Sequence, residues 1–513
     1  MNILDLPPEL LGRVIEFSMP LDFEHLMMTC RAVYACGRSR IALHNARKRE
    51  WAKIDIDIDE NASAVLECLH KMMKDPIVAG YVEDADFRGN RIGFSPSAEE
   101  SLQTETAPFR VETASIEDME GFLDQRLYSH DTGLPASLWN AGFIKECLQQ
   151  ADNELLPVWS FMFLLSQLKN IKSLTLPRSW DNAFVPDYRH EESAQRRFLE
   201  SIMRLSNQTR PHSPWARLKT LRLLGLVDYD TRIGLSTLAP FLAMKGLQEL
   251  YATSLVAVDD GYTGIPFTWL YPDLKSSLQR VELVSCCMDA QSVSSLVANT
   301  PLLRVFRYSQ QTKWHGCEHD WNPANFVAAL GRHCGHHLTD LAITIDEVYG
   351  DVINGVTSLK EFTCLERVEL ELAIFAGPSL ESGERKGMEE NPPATGYKLW
   401  ETRDVPKLVE MLPASLRSLR LFNNCIDRDE YIDVALALLK DFSAGRDWLL
   451  SNLEEISYRQ RLVSGPEPVE LEGLHTVKKH AEAIGAEYLA GDYIQPVWKK
   501  AFGNKHGVLA SPD

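Results

Sequence analysis

The chain of 513 residues has no Cys-x-x-Cys pair, no membrane-length apolar run and fewer basic than acidic side chains. Its ten cysteines, at 30, 36, 68, 147, 286, 287, 317, 334, 364 and 425, are scattered. That usage fits buried free thiols in a reducing compartment and excludes a disulfide-built framework. The longest nearly apolar stretch, 155–165, is interrupted by Pro157 and Ser160 and reaches roughly half of the ~20 residues a bilayer requires. Lysine and arginine number 53 against 72 aspartates and glutamates, a formal net charge of −19. An acidic surface argues against nucleic acid and anionic membrane as partners, because both reward a basic face. The N-terminus, Met1-Asn2-Ile3-Leu4-Asp5-Leu6-Pro7-Pro8, has neither the basic start nor the apolar core of a signal peptide. A cytoplasmic or nuclear location is expected.

Catalytic signatures are missing as well. There is no phosphate loop, nucleophile elbow, dinucleotide fingerprint or His-Glu-x-x-His. No catalytic residue, cofactor or enzyme activity is expected. Asp55-Ile56-Asp57-Ile58-Asp59 resembles the start of a calcium loop, but Glu60 replaces the needed glycine and Leu66 the closing glutamate. It reads better as a half-buried strand with Ile54, Ile56 and Ile58 inward. His315, Cys317, His319, His333, Cys334, His336 and His337 offer zinc-type donors without finger spacing. No metal is assigned to them, and a metal-dependent enzyme is the remotest reading.

What is present is an ordinary globular balance, 45% hydrophobic and 24% charged. The length suggests about three domains or a repeat array, which grows without enlarging a single core. Residues 1–53 carry eight basic and six acidic side chains, against 45 and 66 in the remainder. The N-terminal segment is electrically distinct. In it, Leu10, Leu11, Val14, Ile15 and Phe17 share a helical face behind Pro8. Met19-Pro20 stops that helix. Asp22 starts a second, with Phe23, Leu26, Met27 and Cys30 at helical spacing, and a third runs from Arg31 through Val33, Cys36, Leu43 and Ala46. Fifty residues bury little surface, so this unit is expected to lean on its neighbour.

Leu6-Pro7-Pro8-Glu9-Leu10-Leu11, Val14-Ile15, Leu26, Cys30-Arg31 and Val33-Tyr34 resemble the F-box, although Val33 stands where a bulky aromatic is frequent. The resemblance covers roughly residues 4–51. It implies docking on the Skp adaptor, and through it a cullin, of a ubiquitin ligase, with Leu6, Pro7, Leu10, Leu11, Val14, Ile15, Cys30, Arg31 and Tyr34 as adaptor-binding residues.

The rest of the chain repeats itself. Leu-x-x-Leu-x-Leu, with aliphatic substitutes, starts at 171, 218, 278, 338, 365 and 416, and weaker copies start at 247, 303 and 453. Two copies continue to Asn424-x-Ile426 and Cys286-x-Met288. In such a unit the alternating leucines are the inward side of a strand, and the Asn or Cys turns the chain. The shorter intervals match a period of about 20–29 residues plus a variable helix. Return helices are expected at 237–244, 290–298, 323–334, 405–411 and 429–442, and earlier ones at 62–73, 115–126, 139–151 and 158–167.

The chain therefore resembles the fungal-type F-box/leucine-rich-repeat family. The fold class is α/β: a three-helix F-box followed by an irregular solenoid of alternating strand and helix. The expected divisions are 1–53, F-box; 54–167, junction and first irregular coils; 168–473, solenoid with insertions 183–214 and 376–405; and 474–513, C-terminal cap and tail. The resemblance implies a substrate receptor that transfers nothing itself. A leucine-rich-repeat scaffold with no ligase role is the alternative. Arg222, Glu282, Ala342, Glu369 and Arg420 lie between core leucines and point outward. Of these, Arg222, Glu282, Glu369 and Arg420 are candidates to meet an unidentified protein target of matched charge, or else are merely solvated.

Overall fold

The computed structural model describes residues 3–59, 61, 63–88, 118, 121–123, 136–148, 157–180, 194–208, 213–314, 317, 320–387, 396–424, 429–462, 472–492 and 494–508. It is a mixed α/β fold of parallel sheet and helices, divided into two compact units. The first unit comprises 1–224 with 244–247, and the second 225–243 with 248–513.

The first unit opens with three helices, α1 (Pro8–Phe17), α2 (Phe23–Thr29) and α3 (Arg31–Trp51). Leu11, Ile15, Met19, Phe23, Met27 and Val33 form their common core. A Cβ on Gly37 would run into Met27 Sδ, so glycine allows α2 and α3 to approach closely. The bundle leans on the following segment, as its size requires. His44 Nδ1 lies 2.9 Å from the Tyr81 hydroxyl, and Arg47 pairs with Asp75 at 2.7 Å.

Next come strands β1 (Lys53–Asp55), β2 (Asp84–Asp86), β3 (Ser173–Leu176) and β4 (Thr220–Leu223), parallel and in sequential order. The helices Ser63–Lys74, Ala136–Leu148 and Val158–Gln167 stand close to their expected places. Ile54 and Ile58 are buried, Ile56 is half-buried, and β1 ends at Asp55. Most of the helix expected at 115–126 lies outside the described residues. The insertion expected at 183–214 is partly helical: Ala194–Ser206 is an amphipathic helix that buries Phe198, Leu199, Ile202 and Met203. Its apolar residues have helical spacing.

In the second unit β5 (Ile233–Gly234) and β7 (Leu255–Ala257) form a short side pair. The main sheet runs β6 (Glu249–Thr253), β8 (Arg280–Met288), β9 (Val305–Gln311), β10 (Asp340–Glu347), β11 (Arg367–Glu371), β14 (Ser418–Asn423), β15 (Glu455–Arg461) and β16 (Glu487–Gly491), every pair parallel. A two-residue pair, β12 (Arg385–Lys386) and β13 (Tyr397–Lys398), occupies part of the segment expected as the 376–405 insertion. Leu250, Val281, Phe306, Leu341, Val368, Leu419 and Ile456 are in register across the sheet and buried.

In four copies of the second unit the first leucine closes a turn. The N–H of Leu303 donates to Thr300 O, of Leu365 to Phe362 O, of Leu416 to Pro413 O and of Leu453 to Leu450 O. One main-chain carbonyl before each strand then accepts two N–H groups of the next coil. Gln248 O takes those of Gln279 and Arg280, Gln279 O those of Arg304 and Val305, and the series continues through Arg304, Thr339, Glu366 and Arg417.

Return helices cover the leucine side. Asp289 Oδ1 accepts from Ser292 N at 2.6 Å and caps Ala290–Val297, and Asn322 with Pro323 starts Pro323–Cys334. Phe326 of the latter lies 4.7 Å from the Tyr308 ring. The segment expected as a terminal cap differs. Helix Glu472–Ala483 leads into another strand, β16, whose Tyr488 stacks on Tyr458 at 5.6 Å. A last helix follows, Val497–His506. Among the described residues no helix is long and apolar enough to cross a membrane.

Candidate interaction surfaces

Helix α1 has two apolar stripes with different fates. Leu11 and Ile15, expected to contact an adaptor, are buried in the bundle's own core. Leu10, Val14 and Phe17 recur at i, i+4 and i+7 on the other side. Leu10 is 52% and Phe17 81% exposed, and Val14 is half-buried. Pro7, Arg31 and Tyr34 are exposed, and Leu6 and Cys30 are half-buried against the core. Met28 at the end of α2 is exposed too and was not foreseen. Arg40 holds α1 against α3, donating to Gly12 O at 3.0 Å and facing Glu16 at 3.7 Å.

In the second unit the outward strand positions form a register row: Tyr251, Glu282, Arg307, Ala342, Glu369, Arg420 and Ser457. Three of the expected outward side chains are not solvated. Glu282, Ala342 and Glu369 are buried. Glu282 Oε1 accepts from Arg280 at 2.6 Å and from Arg307 at 3.4 Å. Arg420 reaches Glu455 at 3.2 Å and stays partly exposed. In the first unit, half-buried Arg222 donates to Ser173 Oγ at 2.5 Å.

Over Glu369 the cover is the last helix. Both carboxylate oxygens of Glu369 are engaged, by Val497 N at 2.5 Å and Trp498 N at 3.1 Å. Lys499 Nζ meets Asp346 Oδ1 at 2.5 Å, while Asp346 Oδ2 accepts from Ser285 Oγ at 2.5 Å and Ser309 Oγ at 2.8 Å. Lys505 Nζ donates to the Tyr251 hydroxyl at 2.5 Å and lies over its ring. Phe502 and His506 pack on the same tyrosine. A cavity of about 160 Å³ remains beside the start of this helix, lined by Arg307, Arg367, Arg420, Glu369 and Trp498 among others. Nothing at 497–506 matches the Leu-x-x-Leu-x-Leu pattern; the available signal was Trp498, Phe502 and His506 at spacing four.

Charges on this face are tuned by neighbours. Burial raises the Glu369 carboxyl despite the two N–H groups that oppose it. Burial works against Asp346 as well, but Lys499 and the two serines prevail and hold it below the ordinary carboxylate range. Glu371, fully buried with Oε1 accepting from Asn424 N at 2.7 Å, is pushed well above that range by burial.

The residues expected to turn the chain bond across coils. Cys286 Sγ accepts from Leu255 N at 3.3 Å, although it lies inside β8. Asn424 Nδ2 donates to Ile345 O at 3.3 Å. His315 and His319 lie outside the described residues. Cys317 and Cys334 are buried, His333 faces Ser294 at 3.0 Å, and His336 and His337 face each other. Among the described residues no group of three or more side chains could hold a metal ion. No family model matches the chain, and no curated protein matches it.

Proposed function

We propose that the protein is the substrate-recognition subunit of an SCF-type cullin-RING ubiquitin ligase, acting in the cytoplasm or nucleus. The N-terminal helices are an F-box that binds the Skp adaptor, and the strand-and-helix coils are a leucine-rich-repeat region that binds a protein target. The observation that carries this reading is the exposed apolar stripe of Leu10, Val14 and Phe17 on α1. An exposed stripe beside a complete internal core calls for a partner, because its burial contributes nothing to the bundle itself. The adaptor delivers the cullin, and the bond-forming chemistry belongs to the RING partner and its conjugating enzyme. Nucleic acid and membrane have no place in this scheme.

Co-purification with the Skp adaptor tests it. The wild-type chain should retain the adaptor, and Leu10→Asp with Phe17→Asp should lose it with an unchanged melting temperature. Absence of the adaptor from the wild-type protein would overturn the proposal. The competing reading, a scaffold with no ligase role, draws on Leu11 and Ile15, since these motif residues already serve the bundle core. For the target, charge reversal at Arg222 and Arg420 should weaken capture and leave adaptor binding intact.

A further inference from the structure

Helix Val497–His506 does not cap its own start. Pro496 precedes it, no side chain of its own segment accepts from its first N–H groups, and Glu369 of β11 does so instead. Four N–H groups at any helix start need acceptors, and negative charge is favoured there. The strand face thus provides a ready cap. It also places a second acid, Asp346, where the third helical residue presents a lysine, and an aromatic platform, Tyr251, where the last turn brings Phe502, Lys505 and His506.

The helix itself is a weak element. It has ten residues, Gly503 lies inside it, and its buried side chains are Trp498, Phe502 and His506. Isolated helices shorter than about 12–15 residues are marginal, and an interior glycine costs about 1 kcal/mol more. Its order comes from the face beneath it.

From this complementarity we infer that the outward strand face of the second unit is a receptor for a basic amphipathic helix, with Val497–His506 as its resident occupant. The fitting partner is a helix with a free N-terminal turn, large apolar or aromatic side chains at spacing four, and lysine at its third position. A partner helix of this kind displaces the chain's own. The inference rests on the proposal that this face receives the target, and it specifies the target's chemistry.

The test uses the full chain and a fluorescent peptide of its own residues 494–508 as the probe. Trp498→Ala with Phe502→Ala loosens the resident helix, so this variant should bind the peptide at least tenfold more tightly than wild type. Lys499→Glu with Lys505→Glu loosens it without removing apolar contacts and should do the same. Adding Glu369→Leu to either variant should abolish the gain, and a peptide with Lys499→Glu should bind at least tenfold more weakly. If both loosened proteins melt cooperatively and neither gains affinity, the receptor is refuted. Should the loosened proteins sediment as dimers, the occupant is a second copy and the partner assignment falls. If the peptide is captured but does not compete with a target bound by the wild-type chain, the receptor stands and the target's placement on this face is wrong.

Discussion

Asp340 grips Arg307 through both oxygens: Nε donates to Oδ1 at 3.0 Å and a terminal nitrogen to Oδ2 at 2.9 Å. Arg367 Nε adds a third bond to Oδ2 at 2.9 Å. Each residue comes from a different strand, so one carboxylate ties β9, β10 and β11 together on the outward face. Burial disfavours the charge on Asp340, but the two guanidiniums outweigh it and lower the carboxyl below its usual range.

Asp340→Asn should therefore cost about 2–3 kcal/mol at neutral pH, somewhat less than a fully buried ion pair because both arginines are partly exposed. The lowered carboxyl contributes fully above its unfolded value near pH 4 and loses that contribution as pH falls through its folded value. Melting curves from pH 7 to pH 3 should show the wild-type advantage shrinking toward acid. A constant difference would contradict the assignment.

Glu371 should behave with the opposite sign. Its raised carboxyl contributes below about pH 4 and loses that contribution as pH rises through the raised value. Glu371→Gln should match wild type near pH 4 and exceed it in melting temperature as pH rises, by a margin that grows until the raised value has been passed. A margin that narrows with rising pH would count against a buried neutral acid at this position.

The two stripes of α1 make separable predictions. Ile15→Ala removes fully buried methyl groups and should destabilise the first unit by about 2–5 kcal/mol. Phe17→Ser touches an exposed ring and should change stability by no more than about 0.5 kcal/mol. Chemical denaturation of both variants decides the matter, and equal losses would reverse the assignment of the stripes.

Thiol labelling tests the core of the second unit. Burial pushes the Cys286 and Cys334 thiols up to about 12, which leaves on the order of one thiolate in ten thousand at pH 8. Exposed Cys36 and Cys364 should react with iodoacetamide first, with Cys286 and Cys334 labelled only after denaturation. Peptide mass spectrometry over a time course reads the order.

The strands were legible because one physical rule repeats: alternate residues must be apolar to line a packed face. Leu221, Val281, Leu341, Val368 and Leu419 all followed it and all are buried. The outward partners were legible in direction only. Glu282 and Glu369 read as facing a protein target or solvent, because local alternation says nothing about what lies above a strand. Glu369 is covered by a residue 128 positions later in the chain. β16, Glu487–Gly491, was missed since Glu-Tyr-Leu-Ala-Gly carries no leucine pair. On α1 the pattern put Leu10, Leu11, Val14, Ile15 and Phe17 on one face and did not separate the buried stripe from the exposed one, because that depends on Phe23, Met27 and Val33 arriving from two other helices.

The carbonyls that join successive coils of the second unit belong to Gln248, Gln279, Arg304, Thr339, Glu366 and Arg417. These residues share no charge, size or shape, and none is needed, since the bonds repeated from rung to rung run between peptide groups. Such a spine accepts any side chain but proline's at its own positions and ignores how many residues loop out between them. Coil length is then free to drift, and segments gained between one rung and the next leave the rungs aligned. The wide spread of intervals between copies is what a backbone-keyed ladder permits, and it makes the loops between rungs the place where this chain can change most cheaply.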